Sequence, residues 1–179
     1  MIGYSNKTGL PSVTTVLKPF IDTGFFKPEH AQRGSHVHAM ISAYLQGIWF
    51  SEDTPDDWQL YFESFLEWWR FRHYEIVLVE KRLIHSVFQY CGKMDLVVTD
   101  GKDNILIDFK TSQAKYSTWP IQLMAYAEML KNNGVAVDRM ACVRLKNDGS
   151  GVHFDEYKTK SEYWNTFLSA LNCHRYFNG

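Results

Sequence analysis

The stretch Asn104–Lys110 places a carboxylate and an ammonium group two residues apart, at Asp108 and Lys110. The residues around them are apolar and rich in isoleucine, which is typical of a β-strand. Side chains alternate between the two faces of a strand. Asp108 and Lys110 are therefore predicted to project side by side from one face, while Ile107 and Phe109 fill the other.

A second carboxylate, Asp95, lies on the preceding predicted strand, Met94–Thr99. Hydrolysis of a phosphodiester needs a generated hydroxide, a neutralised phosphate oxygen and a stabilised leaving alkoxide. Divalent ions held by carboxylates supply all three, and Lys110 would orient or deprotonate the attacking water. The alternative is a surface hairpin with an Asp–Lys ion pair of little energetic value. The pattern favours a metal-dependent phosphodiesterase, and so a nuclease.

Two further residues are candidates for the same site. Glu80 shares strand parity with Ile76 and Leu78, so we expect it to point toward a buried face, where a carboxylate needs a cation. Alternatively, Glu80 ends its strand and pairs with a neighbouring basic residue. His38 lies four residues after Gly34 on a predicted helix, and the glycine would leave room for an imidazole that binds metal. A structural role is the alternative for His38.

Four more side chains are candidates for contact with a nucleic acid. Gln122 and Tyr126 are one helical turn apart, where an amide and a phenol can hold a phosphate or a base edge. Trp68 and Trp69 lie beside Arg70 and Arg72, and aromatic rings interleaved with arginine can stack on single-stranded bases. The alternatives are an ordinary helix surface for the first pair and core packing for the tryptophans, more so for Trp69.

Composition narrows the class of protein. The 179 residues are 45% hydrophobic and 16% aromatic, enough for one domain with a sizeable core and unlike a disordered or fibrous chain. No apolar run reaches the length of a membrane span, and the first ten residues show no export or transit pattern, so we expect a cytoplasmic protein. The three scattered cysteines predict neither disulfides nor a zinc or iron–sulfur site. A net charge of −1 gives no support by itself to a nucleic-acid partner.

The order of predicted elements indicates a mixed α/β layer fold. Ser12 is expected to cap a short helix over Val13–Leu17. The other predicted helices are 28–46, 58–74, 118–133 and one from a capping box at Thr159 to about Tyr176. The predicted strands are 75–84, 87–89, 94–99, 104–110, 139–145 and 152–157.

Taken together, these motifs resemble the PD-(D/E)XK nuclease superfamily, and more narrowly its RecB-like exonuclease branch. The elements RGxxxH, E, GxxD, DxK and QxxxY occur in order, as Arg33–His38, Glu80, Gly92–Asp95, Asp108–Lys110 and Gln122–Tyr126. The opening segment Leu10–Leu17 also resembles the one that opens mitochondrial genome maintenance exonucleases and related phage nucleases.

The resemblance implies a restriction-endonuclease-like αβββαβ core with a mixed central sheet, flanking helices and extra N-terminal helices. All 179 residues would form one domain, with a helical part over about 1–74 and a catalytic part over about 75–179. A metal would be bound by His38, Asp95, Asp108 and the carbonyl of Phe109. Lys110 would be the catalytic lysine and Glu80 an auxiliary acid.

The resemblance also bears on substrate and partners. Gln122 and Tyr126 would contact the nucleic acid and the active-site strand, and we assign Arg33 and Trp68 to nucleic-acid contacts as well. The donor set suits Mg²⁺ or Mn²⁺, and no iron–sulfur cluster is expected. Without a motor segment, coupling to unwinding would require a helicase or a single-strand-binding partner.

Three functions follow from these patterns. A DNA exonuclease acting on single-stranded or frayed ends is favoured, in a setting such as repair, recombination or phage replication. A structure- or sequence-specific endonuclease on the same core is the second, and a non-catalytic nucleic-acid-binding module the third. The clustered acids speak against the third, because binding a polyanion does not need them.

Overall fold

The predicted Asp-Phe-Lys strand lies in the centre of a five-stranded sheet in a computed structural model that describes residues 9–21 and 27–178. The first eight residues, on which the expected absence of an export signal partly depended, lie outside this description. The strands are β1 (Glu75–His85), β2 (Tyr90–Thr99), β3 (Asn104–Lys110), β4 (Arg139–Leu145) and β5 (Val152–Tyr157).

The sheet has the spatial order β1-β2-β3-β4-β5. Antiparallel pairing joins β1 to β2, β2 to β3, and β4 to β5, whereas β3 and β4 are parallel. A parallel pair needs a crossover connection, and helix α4 (Trp119–Asn132) supplies it. The β2–β3 connection over residues 100–103 is a tight turn: Asp100 Oδ1 accepts from the backbone N–H groups of Lys102 and Asp103, and Gly101 has φ 86°.

Helices cover both faces of the sheet. On one face α4, the short helix α1 (Val13–Leu17) and the final helix α5 (Ser161–Asn178) enclose one hydrophobic cluster, which includes Leu106 and Met140 from the strands. On the other face α2 (Pro28–Leu45) and α3 (Asp56–Trp69) pack over a second cluster, which includes Ile107 and Phe109. The mixed sheet between helical layers, with N-terminal helices added, confirms the predicted fold class.

Most element predictions agree with the structure, and four need correction. Strand β2 begins at Tyr90, four residues before the predicted start at Met94. Ser12 does cap α1, with its hydroxyl oxygen accepting from the Thr15 N–H at 3.1 Å. Helix α3, however, ends at Trp69 rather than at Tyr74. The segment 87–89 is a turn between β1 and β2 rather than a strand, with Gln89 at φ 48°. Helix α5 begins at Ser161, one residue later than a capping box at Thr159 would place it.

No helix within residues 9–21 and 27–178 is long and apolar enough to cross a membrane.

Candidate active site

Asp108 and Lys110 lie side by side on one face of β3, as strand alternation predicts. Lys110 Nζ is 2.6 Å from Asp108 Oδ2. Between them Phe109 points to the opposite face and packs edge-on against Phe65, with ring centroids 5.5 Å apart. Both charged groups are largely buried, with side chains 6% and 19% exposed. The pair is therefore not the exposed surface ion pair that was the alternative interpretation.

Asp95 connects the three elements that meet at this site. From β2, its Oδ2 accepts a hydrogen bond from the backbone N–H of Phe109 on β3, at 2.9 Å. Its Oδ1 lies 3.2 Å from His38 Nδ1 on α2. The predicted juxtaposition of Asp95 with the β3 motif is therefore present, and the His38 imidazole reaches it from a helix 57 positions away in the chain.

His38 does not depend on Gly34 in the way the sequence suggested. A Cβ added at Gly34 would meet only Thr111 Oγ1, at the ordinary contact distance of 3.7 Å. The imidazole packs instead edge-on against the ring of Phe109, with centroids 6.4 Å apart. The residues that position His38 are therefore Asp95 and Phe109.

Glu80 also lies at this site, but with a backbone conformation that strand alternation did not predict. The β1–β2 register shifts between Ile76 and Leu78, which interrupts the alternation on which the parity argument relied. Glu80 itself has φ 50°, a left-handed conformation that is rare for a residue with a side chain. Its carboxylate forms an ion pair with Lys93 on β2, rather than with a neighbour on its own strand.

His38, Glu80 and Asp95 together form the best candidate for a cation site. Each offers one ligand atom, and these three atoms all lie within 4.8 Å of one another. An imidazole and two carboxylates are the donors that Mn²⁺ and Mg²⁺ accept, so the residues present fit such a metal. Asp108, which was expected to complete the ligand set, is adjacent but turns its oxygens toward Lys110 and Gln122.

Burial and mutual charge shift the titration of this cluster. Burial lowers the pKa of His38, but the charge and hydrogen bond of Asp95 outweigh burial and raise the pKa to about 9. Conversely, burial raises the pKa of Asp95, but His38 and the Phe109 N–H outweigh burial and lower it. Burial raises the pKa of Asp108, and the nearby Asp95 charge adds to this. Without a metal, the site is therefore held together by a protonated His38 beside an ionised Asp95.

The amide of Gln122 organises the lysine side of the site. Its Oε1 accepts from Lys110 Nζ at 3.0 Å, and its Nε2 donates to Asp108 Oδ1 at 3.1 Å. The same Nε2 lies 3.3 Å from the hydroxyl of Tyr126, one helical turn further along α4. These hydrogen bonds account for a contact with the active-site strand, whereas contact of Gln122 and Tyr126 with a nucleic acid stays a prediction.

Arg33 lies near the end of β3. Its Nη2 donates to the carbonyl of Thr111 at 3.5 Å, and its guanidinium lies 4.9 Å from the centre of the Tyr61 ring. Its Nε is buried without a hydrogen-bond partner. Arg33 is thus placed beside the strand that carries the lysine, and its contact with a nucleic acid also stays a prediction.

Trp68 is not available to stack on bases. The residue is 6% exposed and packs against Phe109, Phe154 and Tyr74 in the core beneath the site. Helix α3 ends at Trp69, so Arg72 is not part of the helix. The Arg72 guanidinium lies over the Trp68 ring instead, 5.3 Å from the ring centre. The assignment of Trp68 to nucleic-acid contacts is therefore corrected: its ring supports Phe109 from below.

A polar cavity of about 280 Å³ adjoins the site, and the sequence did not reveal it. Gly92 lines this cavity and packs closely against Tyr126, where an added Cβ would come within 2.6 Å of the Cε1 atom. A glycine inside a strand often marks such a close approach, and this was the signal available in the sequence. The other lining residues are Ser12, Thr14, Thr15, Arg82, Lys93 and Tyr126.

Comparisons with known proteins identify the family. The profile of the PD-(D/E)XK nuclease superfamily matches residues 42–177. No curated protein sequence matches the chain significantly. Among solved structures, LHK-Exo in complex with dAMP shares the fold at a TM-score of 0.52 and 11% identity, covering 93% of this chain and 86% of its own. The structure of SSO0001 aligns at a TM-score of 0.49 and 14% identity, covering 93% and 69% respectively.

The chain belongs to the PD-(D/E)XK nuclease superfamily. The match begins after His38, so the place of this residue in the site rests on the geometry around Asp95.

Proposed function

We propose that this protein is a metal-dependent deoxyribonuclease that removes nucleotides from single-stranded or frayed DNA ends. One observation carries the proposal: His38, Glu80 and Asp95 bring their ligand atoms within 4.8 Å of one another, next to the paired Asp108 and Lys110. Acids gathered beside a buried amine suit hydrolysis of a phosphodiester, whereas a protein that only binds DNA would gain nothing from them.

His38, Glu80 and Asp95 would hold Mg²⁺ or Mn²⁺, with the adjacent Asp108 as the further ligand that the family resemblance implies. Such an ion supplies charge neutralisation at the phosphate and an acidified water. Burial lowers the pKa of Lys110, but Asp108 outweighs burial and raises it. The ammonium form is therefore the resting state, suited to stabilising negative charge on the phosphate. The amide oxygen of Gln122 fixes the direction of this amine.

The surroundings of the site suit a polyanionic strand. Four residues with hydroxyl groups, Tyr126 among them, and two basic residues line the cavity beside the site. Hydroxyl and basic side chains are the usual partners of phosphate oxygens. The formal net charge of −1 is compatible with this, because the acids that hold a metal are concentrated in one place. LHK-Exo, which shares the fold, was solved with dAMP, and a mononucleotide is what an exonuclease releases.

Linear and circular single-stranded DNA of one sequence distinguish the modes of cutting. With Mn²⁺ or Mg²⁺, we expect the linear, end-labelled strand to be shortened with time and the circle to stay intact. Cleavage of the circle would indicate the endonuclease alternative on the same core. Asp108→Ala serves as the control, since loss of cleavage in this variant assigns the activity to the site described. Intact linear DNA under every condition would refute the proposal.

A further inference from the structure

A second charged cluster lies at the same end of the sheet as the lysine of the active site. Asp155 on β5 is 9% exposed, and its Oδ2 accepts from Arg144 Nε on β4 at 2.5 Å. Its Oδ1 lies 2.5 Å from Lys115 Nζ. Lys115 belongs to the loop 111–118, which joins β3 to α4. One buried carboxylate therefore holds two cations from separate segments.

The strand registers place this cluster beside the active site. Asp108 pairs with Cys142, and Cys142 with Asp155, so the two acids belong to one row across the sheet. In the same way Lys110 pairs with Arg144. Neighbouring strands are about 4.8 Å apart, which puts Asp155 roughly 10 Å from Asp108 along the row. Paired residues project to the same face, here the face that α4 covers.

The cluster also fixes the loop that connects the two halves of the active site. Arg144 Nη1 donates to the carbonyl of Gln113 at 2.7 Å, and Gln113 Nε2 donates to the carbonyl of Leu145 at 3.1 Å. Together with the Lys115 ion pair, these contacts hold the loop at residues 113 and 115. The loop begins directly after Lys110 and leads into the helix that carries Gln122.

The cluster of Asp155, Arg144 and Lys115 has a net positive charge, and the Lys115 ammonium group is exposed to solvent. Burial raises the pKa of Asp155, but the hydrogen bonds from Arg144 and Lys115 outweigh burial and lower it, so the carboxylate stays ionised. Two cations then surround one anion. The Lys115 side chain is 58% exposed, so its ammonium group can contact a solvent-borne anion while one side of it touches Asp155. The Arg144–Asp155 pair is buried and the Lys115–Asp155 pair is partly exposed. Neither kind of ion pair adds much stability on balance, which favours a role in positioning.

We propose that Lys115 binds a phosphate group of the substrate strand next to the phosphate that is cleaved, and that Asp155 is the positioning residue that holds Lys115 and Arg144 for this contact. This inference rests on the proposed function, because it takes the substrate to be a nucleic-acid strand crossing the β3–β4 end of the sheet. It adds a phosphate contact on the side of Lys110 away from the metal ligands.

Lys115→Gln tests the contact directly. We expect the KM for linear single-stranded DNA to rise by about fivefold while kcat changes less than twofold, and the salt dependence of DNA binding to weaken by about one ion. Lys115→Arg should restore the wild-type KM, because it keeps the charge. Lys131→Ala is the matched control: Lys131 is also an exposed lysine of an Asp/Glu–Lys pair, but it lies at the far end of α4, and we expect no change.

Asp155→Asn tests the positioning role against simple electrostatics. The variant gains one positive charge, so attraction of DNA by net charge alone would lower the KM. Positioning predicts the opposite, a rise similar to that in Lys115→Gln, with no further rise in the double variant. Glu156→Gln is the control, because it also removes one carboxylate from β5. Glu156 pairs with Arg139 at the other end of β4, so positioning of Lys115 should not depend on it.

DNA binding without cleavage separates the failure of this proposal from the failure of the proposed function. Fluorescence anisotropy with a labelled single strand in EDTA should show about the same fivefold weakening of DNA binding in Lys115→Gln.

The outcomes distinguish the two proposals. If the wild type binds DNA but never cleaves it, the nuclease function is wrong while the Lys115 contact is still measurable. If Lys115→Gln and Lys131→Ala bind equally well, the phosphate contact is overturned. A KM unchanged or lowered in folded Asp155→Asn would overturn the positioning role, and Lys115→Gln remains decisive if that variant does not fold.

Discussion

Asp95 accepts a hydrogen bond from the backbone N–H of Phe109 at 2.9 Å, which fixes a carboxylate of β2 against the middle residue of the Asp-Phe-Lys motif on β3. The same carboxylate faces His38 with its other oxygen. This one side chain therefore sets the positions of a strand, a helix and the candidate cation site. Its loss should affect both folding and chemistry, and two substitutions separate these effects.

Asp95→Asn and Asp95→Ala should differ in stability but not in activity. Each removes a charged metal ligand, so we expect cleavage to fall by about a hundredfold or more. Asparagine can still accept from the Phe109 N–H, whereas alanine leaves that buried donor unsatisfied at a cost of about 1–3 kcal/mol. Urea unfolding and single-turnover cleavage of the two variants measure this. Equal stabilities would show that the hydrogen bond contributes little.

Lys110→Ala should reduce cleavage by about a hundredfold or more while leaving metal binding intact, because the amine contacts Asp108 and Gln122 and lies outside the candidate ligand triad. Cleavage assays at saturating Mn²⁺ measure the effect, and Lys131→Ala controls for loss of a lysine elsewhere. Turnover like that of the wild type in Lys110→Ala would mean that another lysine is catalytic.

Gln122→Ala should have a milder effect than Lys110→Ala, since it removes the group that orients the amine and leaves the amine itself in place. Tyr126→Phe removes only a hydroxyl at 3.3 Å from the Gln122 amide and should be milder still. Cleavage rates of the three variants, measured together, should follow that order. A larger loss in Gln122→Ala than in Lys110→Ala would give the amide a direct role in the chemistry.

Glu80 combines a strained backbone with a functional side chain, and the two can be separated. Glycine adopts a positive φ without steric cost, whereas alanine retains the strain. We therefore expect Glu80→Gly to be more stable than Glu80→Ala by about 1 kcal/mol, with both variants equally poor in Mn²⁺ affinity. Urea unfolding in EDTA measures the first difference and calorimetry the second. A glycine variant less stable than the alanine variant would contradict the role of strain at this position.

The His38–Asp95 pair predicts a pH dependence of the metal-free protein. The pKa of His38 is raised to about 9 in the folded state, from 6.5 for a solvent-exposed histidine. The stabilisation from protonated His38 is therefore fully present below about pH 6.5 and is lost as pH rises through about 9. In EDTA, the difference in unfolding free energy between the wild type and His38→Gln should shrink between about pH 6 and pH 10. A difference that grows over this range would contradict the assignment.

Several parts of the site could be predicted because they depend on local periodicity. Strand alternation placed Asp108 and Lys110 on one face and Phe109 on the other, and helical spacing placed Gln122 and Tyr126 on one face of α4. The order of helices and strands gave the fold class for the same reason. Each of these inferences needs only the few residues around the motif.

The remaining features depend on contacts that are distant in sequence. The pairing of β1 with β2 has a register shift between Ile76 and Leu78, and Glu80 has a positive φ. Strand parity alone could show neither feature. The Trp68 side chain is buried in the core, because it packs against Phe109 of β3 and Phe154 of β5. The ion pair between Lys93 and Glu80 likewise joins two strands, so neither sequence spacing nor residue type pointed to it.

Metal selectivity follows from the donor set. An imidazole and carboxylates are suitable ligands for Mn²⁺ and Mg²⁺, which bind few ligands at short distances. Ca²⁺ prefers more oxygen ligands at longer distances. We expect cleavage with Mg²⁺ and with Mn²⁺ and none with Ca²⁺, measured with end-labelled single-stranded DNA after exhaustive removal of metal by EDTA. Equal rates with Ca²⁺ would refute this description of the site.

Titration calorimetry with Mn²⁺ measures whether the clustered side chains of His38, Glu80 and Asp95 bind a cation at all. We expect the wild type and Lys110→Ala to bind Mn²⁺ with similar affinity, and Asp95→Asn and His38→Gln to bind it at least about tenfold more weakly. Mn²⁺ affinity that is unchanged in Asp95→Asn, or absent from the wild type, would show that these three side chains do not form a cation site.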